Sequence, residues 1–194
     1  MKVAIVKYQA GNVESVKNAL RRLNVEPILT DDAQQLKSAD KVIFPGVGEA
    51  ASAMNYLRQR NLDAVIKSLK QPVLGICLGM QLLCDFSEEN ETVCLGILPY
   101  RVKKFVSETQ KIPQIGWNNI YNLKSDLFAG ITENSYVYFV HGYYVETALD
   151  TIAGCDYETA FSAAVKHENF YAVQFHTEKS GAVGERILEN FLKI

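Results

Sequence analysis

Apolar positions along the chain alternate between short continuous runs and stretches with helical spacing. Val3, Ala4, Ile5 and Val6 form the first run, and Val13, Val16, Leu20 and Leu23 then recur on one helical face. A second run at Pro27-Ile28-Leu29 is followed by a third, Lys41-Val42-Ile43-Phe44, which ends at Pro45-Gly46-Val47-Gly48. Helical patterns occupy 49–60 and 62–69, and a fourth run, Pro72-Val73-Leu74, leads through Gly75-Ile76-Cys77-Leu78-Gly79 into a helical pattern of Met80, Leu83 and Phe86. Short apolar strands separated by helices of this length predict an α/β protein, doubly wound, with a mostly parallel central sheet and helices on both faces. From about 100 to 159 the helical periodicity weakens and aromatic residues gather at Tyr121, Tyr136, Tyr138, Phe139, Tyr143 and Tyr144. That region is expected to add several strands, partly antiparallel, which extend the sheet or pack beside it. Ser162-Ala163-Ala164-Val165 and Tyr171-Ala172-Val173-Gln174-Phe175 read as two more strands, and Val183, Ile187, Leu188 and Phe191 mark a final helix. With no repeat and no Pro/Ser-rich linker, residues 1–194 are expected to form one domain.

Composition narrows the class. Hydrophobic residues make up 48% and charged residues 22%, the range of a globular protein. A formal net charge of −2, without a long basic run, gives no reason to expect nucleic acid. No apolar stretch approaches the roughly 20 residues of a membrane span, and Lys7 ends the first apolar run too early for a signal peptide. Four cysteines (77, 84, 94 and 155) and three histidines show neither a C-x-x-C pair nor zinc-like spacing. No metal or cofactor is therefore expected, and the cysteine usage suits a reducing cytoplasm.

Cys77 stands between two flanking glycines where a strand enters a helix. This is the layout of a nucleophile elbow, at a helix N-terminus whose dipole favours an anion. Glycines around a buried cysteine are ordinary in such turns, so the spacing needs partners. A catalytic thiol requires a base and a group that orients the base. His176 follows the strand ending at Phe175, and Glu178 lies two residues on. If 176–178 stays extended, both side chains project to one side. The alternative is a surface histidine with a glutamate near the first turn of the final helix. An oxyanion would need donors: the Leu78 N–H at the elbow, and one from the glycine-rich turn Gly46-Val47-Gly48. That turn also permits a dinucleotide loop with Ala51 third, but no acidic residue closes a following strand about 20 residues on.

Gly75-Ile76-Cys77-Leu78-Gly79-Met80-Gln81 and Gln174-Phe175-His176-Thr177-Glu178-Lys179-Ser180 together resemble the class I (triad-type) glutamine amidotransferases. Pro45-Gly46-Val47-Gly48, Gly116-Trp117-Asn118 and Tyr138-Phe139-Val140-His141 are similar to the glutaminase subunits of imidazole glycerol phosphate synthases. The resemblance implies a flavodoxin-like class I glutamine amidotransferase fold. It implies that Cys77, activated by His176 and Glu178, attacks the side-chain amide of glutamine and forms a thioester that water hydrolyses. It places Gln81, Glu89 and the backbone at Gly142 and Tyr143 around the substrate. It also implies a heterodimer with a (β/α)8-barrel cyclase subunit that receives the ammonia for histidine synthesis, with Asn12, Trp117, Asn118, Tyr138 and Lys179 lining or near the interface. Core packing is the alternative for Trp117 and Tyr138, and an exposed helix face is the alternative for Gln81. The chain departs from the family pattern at Lys7-Tyr8-Gln9, at Gln114 and Ile115 (usually His and Met), at Gly142 (usually Ser or Thr) and at Thr177 (usually Pro). Gln114 and Ile115 bear on the acceptor, so a related subunit feeding a different acceptor, such as a surface sugar, stands as the alternative. A cysteine hydrolase on the same scaffold is another.

Overall fold

The computed structural model describes residues 1–8 and 11–194, so Gln9 of the Lys7-Tyr8-Gln9 departure lies outside the described residues. The N-terminal half alternates as the apolar pattern predicts: β1 (Val3–Val6), α1 (Val13–Arg22), β2 (Ile28–Thr30), α2 (Ala33–Ser38), β3 (Lys41–Gly46), α3 (Ala50–Gln59), α4 (Leu62–Lys67), β4 (Val73–Cys77) and α5 (Leu78–Leu83). The strands β5 (Cys84–Ser87), β6 (Thr92–Val93), β7 (Leu98–Lys104), β8 (Gln114–Ile120), β9 (Ser135–His141), β10 (Tyr143–Val145) and β11 (Thr151–Asp156) follow. The chain closes with β12 (Ala160–His167), β13 (Phe170–Val173) and α6 (Gly181–Lys193).

Seven strands form the main sheet in the order β11-β12-β13-β4-β3-β1-β2, with β13, β4, β3, β1 and β2 mutually parallel and β11 and β12 antiparallel at one end. Alternate strand residues feed two cores because a pleated strand points successive side chains to opposite faces. Ala4, Val6, Val42, Phe44 and Val73 pack with Leu36, Met54, Leu57, Ile66 and Met80 of α2 to α5. Val3, Ile5, Ile43, Leu74 and Ile76 pack with Val16 and Leu20 of α1 and Ile187, Leu188 and Phe191 of α6. Helices therefore cover both faces, as expected.

Two smaller assemblies use the aromatic region: a four-stranded sheet β10-β7-β5-β6, and an antiparallel ribbon β8-β9. The region thus does both things expected of it, since β11 extends the main sheet and the other strands pack beside it.

Three local expectations change. Phe86 is not on the elbow helix: α5 ends at Leu83, Cys84 is extended (φ −68, ψ 175), and β5 pairs with β7 instead. The last parallel strand stops at Val173 rather than Phe175. The segment 176–178 does not stay extended but enters a 3-10 turn at Thr177–Lys179. Helix α2 carried almost no periodic signal because Leu36 is its one buried residue; the Asp32 side chain caps it by accepting from the Gln35 N–H at 2.8 Å. None of the described helices is long and apolar enough to cross a membrane.

Candidate active site

The C-terminal ends of three adjacent strands build the site, at the edge where open α/β sheets collect ligands. In register, Gly46 at the end of β3 lies beside Cys77 at the end of β4, and Val173 of β13 lies beside Ile76 on the other side. Cys77 adopts φ 54 and ψ −110, a conformation that L-residues rarely take and that turns the chain sharply from strand into helix. The flanking glycines make room for this turn. A Cβ on Gly79 would overlap the Phe44 carbonyl oxygen, and one on Gly75 would come within 2.9 Å of Leu83 and 3.1 Å of the Gly79 and Met80 backbone.

The base is built across β13 and the ribbon. The His176 N–H donates to the Tyr138 carbonyl at 2.9 Å, and the Ser180 hydroxyl donates to the His176 carbonyl at 2.6 Å while accepting from the Tyr138 N–H at 2.9 Å. These bonds clamp the turn that carries His176 to β9. The turn brings His176 Nδ1 to 2.7 Å from Glu178 Oε1, with both side chains buried. The predicted His–Glu pairing is therefore present, reached by a turn and not by an extended segment. Asn12 Nδ2 donates to the same Oε1, so Asn12 touches the carboxylate behind the base. Glu178 Oε2 and Thr177 Oγ1 are buried with no hydrogen-bond partner among the described residues. On its other side the His176 ring faces Cys77, which acts on its protonation. Burial, the largest single influence, favours the neutral ring, but the influence of Cys77 and the hydrogen bond and charge of Glu178 together outweigh it and raise His176 to about 10. The ring is thus held as an acid at neutral pH.

A cavity of about 490 Å³ opens beside the thiol, and Val47, Gly48, Cys77, Leu78, Gln81, Glu89, Gly142 and Tyr143 all line it. Gly46 stands just behind, where its missing side chain leaves room for Tyr8 and Leu78. Gln81 is buried rather than on an exposed helix face, and its Nε2 donates to the Tyr143 carbonyl and to Gln174 Oε1, each at 3.1 Å. Glu89 Oε2 accepts from the Ala50 N–H at 2.7 Å, capping α3 directly after the Val47-Gly48 turn. Partial burial is the main cause that raises the Glu89 carboxyl above its ordinary value.

Three contributors escaped the sequence reading. Tyr8 is buried on Phe44 and donates to the Pro45 carbonyl at 2.5 Å, pinning the strand that leads into the Gly46–Gly48 turn. Lys104 lines the cavity rim, and nothing in its local sequence distinguishes it from other surface lysines. Gln174 reaches Cys77; it lay inside the motif already singled out, but only the fold shows what it touches.

His141 lies under the cavity, with Nδ1 2.8 Å from the Tyr143 carbonyl and Nε2 2.9 Å from the Gln114 side-chain amide. Burial pushes its ring down to about 4, against the pull of that carbonyl and with a further push from His176. The unfolded ring has a pKa of about 6.5, so between that value and about 4 the unfolded chain binds a proton that the folded chain refuses. Stability should therefore fall as pH drops through this window and level off below it. In urea titrations from pH 7 to pH 4, wild type should lose up to roughly 3 kcal/mol more than His141→Asn. A constant gap between the two proteins would rule this out.

The ribbon decides the fate of the interface candidates. Trp117 is 55% exposed, Ile115 63% and Tyr136 59%, so these side chains are surface and not core. Tyr138 is half-buried with its ring 5.8 Å from Trp117, and Lys179 is exposed on the turn that carries Glu178. Register puts Ile115 opposite Val140, Trp117 opposite Tyr138 and Asn119 opposite Tyr136, on one face of the ribbon. Asn118 alternates to the other face and donates its side-chain amide to the Asp156 carbonyl at 2.7 Å. The outer face runs inward to Val140, whose carbonyl lies 3.6 Å from Cys77 Sγ. Gln114 points inward at 3% exposure, and a Cβ on Gly142 would make only ordinary contacts with Pro113 and Ile112.

A thiol at an elbow, an imidazole–carboxylate pair beside it and a glycine-rich turn lining the same cavity on a flavodoxin-like sheet are the parts of a triad amidase. Residues 4–194 match the family model of class-I glutamine amidotransferases, and the chain belongs to that family. Among curated proteins it is 57% identical to "Imidazole glycerol phosphate synthase subunit HisH" of Bacteroides fragilis, with all of both chains covered. It is 46% identical to the protein of the same name from Blochmanniella floridana, again over the whole of both chains. Of solved structures, a putative GMP synthase component from Thermoplasma acidophilum superposes with a TM-score of 0.76 at 21% identity, covering 100% of this chain and 93% of that one. PurLQS from Thermotoga maritima gives 0.72 at 18% identity, covering 99% and 97%. At those identities the two structures speak for the fold.

Proposed function

We propose that this chain is the glutaminase subunit of an imidazole glycerol phosphate synthase, with residues 1–194 working as one domain. It hydrolyses glutamine and passes the ammonia to a (β/α)8-barrel cyclase subunit in a heterodimer serving histidine synthesis. The observation that carries this reading is the 57% identity with a HisH subunit across the full length of both chains. Relatives at this similarity support the histidine-pathway acceptor over a surface sugar, despite Gln114 and Ile115.

In this reading the Cys77 sulfur attacks the side-chain amide carbon of glutamine. The Leu78 N–H and an N–H of the Gly46–Gly48 turn receive the oxyanion. His176, already an acid, gives its proton to the amide nitrogen; the C–N bond breaks and ammonia leaves. A water molecule then adds to the thioester, its proton going to His176, and the C–S bond breaks to release glutamate. Glu89 suits the α-ammonium group of the substrate, the backbone at Gly142 and Tyr143 suits its α-carboxylate, and Gln81 holds that segment in place. Ammonia is lost to protonation in bulk water, so the exposed face of Trp117, Tyr138 and Lys179, next to Asn12, is the expected seat of the cyclase. Asn118 would act from behind, fixing the ribbon on the main sheet.

The test is to mix the protein with a histidine-pathway cyclase and its ribulosyl nucleotide substrate and follow glutamate release. A severalfold rise over the protein alone is expected. Hydrolysis without stimulation would redirect the acceptor assignment, and no hydrolysis in either mixture would remove the glutaminase reading.

A further inference from the structure

Gln174 is fully buried, one step past the end of β13, with its backbone N–H bonded to the Ala163 carbonyl at 2.8 Å. Its side chain lies between Gln81 and the nucleophile: Oε1 is 3.1 Å from Gln81 Nε2, and Nε2 is 3.7 Å from Cys77 Sγ. The orientation of both amides follows from the Tyr143 carbonyl. A carbonyl can only accept, so the end of Gln81 facing it must be the NH₂ group. The same NH₂ group faces Gln174, which must answer with its oxygen. Gln174 is then left with its own NH₂ group turned to the sulfur. His141 Nδ1 lies on that carbonyl as well, so two donors hold the start of the chain in place.

We propose that Gln174 is a positioning residue for the nucleophile, its amide N–H holding the Cys77 sulfur in the attacking orientation and favouring its anionic form. The inference rests on the reading of Cys77 as the glutaminase nucleophile. The sulfur lies between two unlike neighbours. The Val140 carbonyl, 3.6 Å away, can accept a proton-bearing thiol but opposes a thiolate. The Gln174 amide does the reverse, because an N–H donor bonds an anionic acceptor more strongly than a neutral one. Burial removes water that could substitute for either. His176, with Glu178 behind it, and Tyr8 are the titratable neighbours of Cys77, and substitution at Gln174 leaves all three in place.

Gln174→Met keeps the length of the side chain and removes the donor, whereas Gln174→Glu keeps its shape and replaces the donor with an acceptor. Each is assayed for glutamine turnover with the cyclase present, and for the pH profile of Cys77 modification by a glutamine-analogue electrophile, read by mass spectrometry. Gln174→Met should lower kcat about 10- to 100-fold with KM little changed, and should move the acid limb of the modification profile to higher pH. Gln174→Glu should slow modification further, and it carries the test if the methionine variant does not fold. Wild-type modification rates in the folded variant, or a rise in KM with kcat intact, would overturn the proposal; the second outcome would mean that Gln174 acts only by supporting Gln81. A wild-type protein unmodified at Cys77 would instead overturn the nucleophile reading itself.

Discussion

Replacing Cys77 by serine is expected to lower glutamine hydrolysis roughly 1000-fold or more while leaving the fold intact. Serine fits the elbow, since the φ 54 backbone and the glycines around it accept either side chain. The chemistry does not transfer. A serine hydroxyl is far less acidic than a thiol and does not share its proton with His176 ahead of attack, and without the sulfur the ring loses the Cys77 contacts that favour its protonated form. The site is built around a sulfur that can share a proton with the imidazole before the substrate arrives. Glutamate release, measured alongside the urea midpoint and cyclase binding, checks this. Turnover within tenfold of wild type would remove Cys77 from the role.

Gly79→Ala should be a severely damaging small substitution, costing about 2–4 kcal/mol and most of the activity. Its new Cβ would overlap the Phe44 carbonyl oxygen, a backbone atom of β3 that cannot rotate aside. Helix α5 would have to move off β3, carrying Cys77 and the Leu78 N–H away from the Val47-Gly48 turn. Gly142→Ser is the contrast for stability: its Cβ meets Pro113 at 3.7 Å and Ile112 at 3.9 Å, so the urea midpoint should barely change. Equal midpoints for the two variants would show that the close approach of α5 to β3 is not what requires glycine at 79.

Much of the architecture was legible in the chain. Runs such as Val3 to Val6, buried on both faces of a parallel sheet, announce themselves as uninterrupted apolar strands. The elbow is legible because a strand, a glycine-flanked residue and a helix follow one another locally. Phe86 was misread because the register of Met80 and Leu83 continues through it, although the chain straightens to pair with β7. His176 and Glu178 were found by type and spacing, but their contact is made by a 3-10 turn whose geometry the ribbon imposes. Trp117 could not be assigned to core or surface, because a two-stranded ribbon has one covered and one bare face and composition does not say which is which.

By itself, then, the sequence determined what is local: strand and helix periods, the strained cysteine turn, and the residue types a thiol amidase requires. Tertiary structure alone decided which groups face one another. The chain order separates Gln174 from Cys77 by 97 residues and Asn12 from Glu178 by 166, yet the adjacent ends of β13 and β4 bring the first pair into contact, and the start of α1 against the 3-10 turn at Thr177–Lys179 brings the second. Periodicity records the direction of a side chain relative to its own backbone. It carries nothing about which distant strand lies alongside, and that neighbour is what aims an amide at a sulfur.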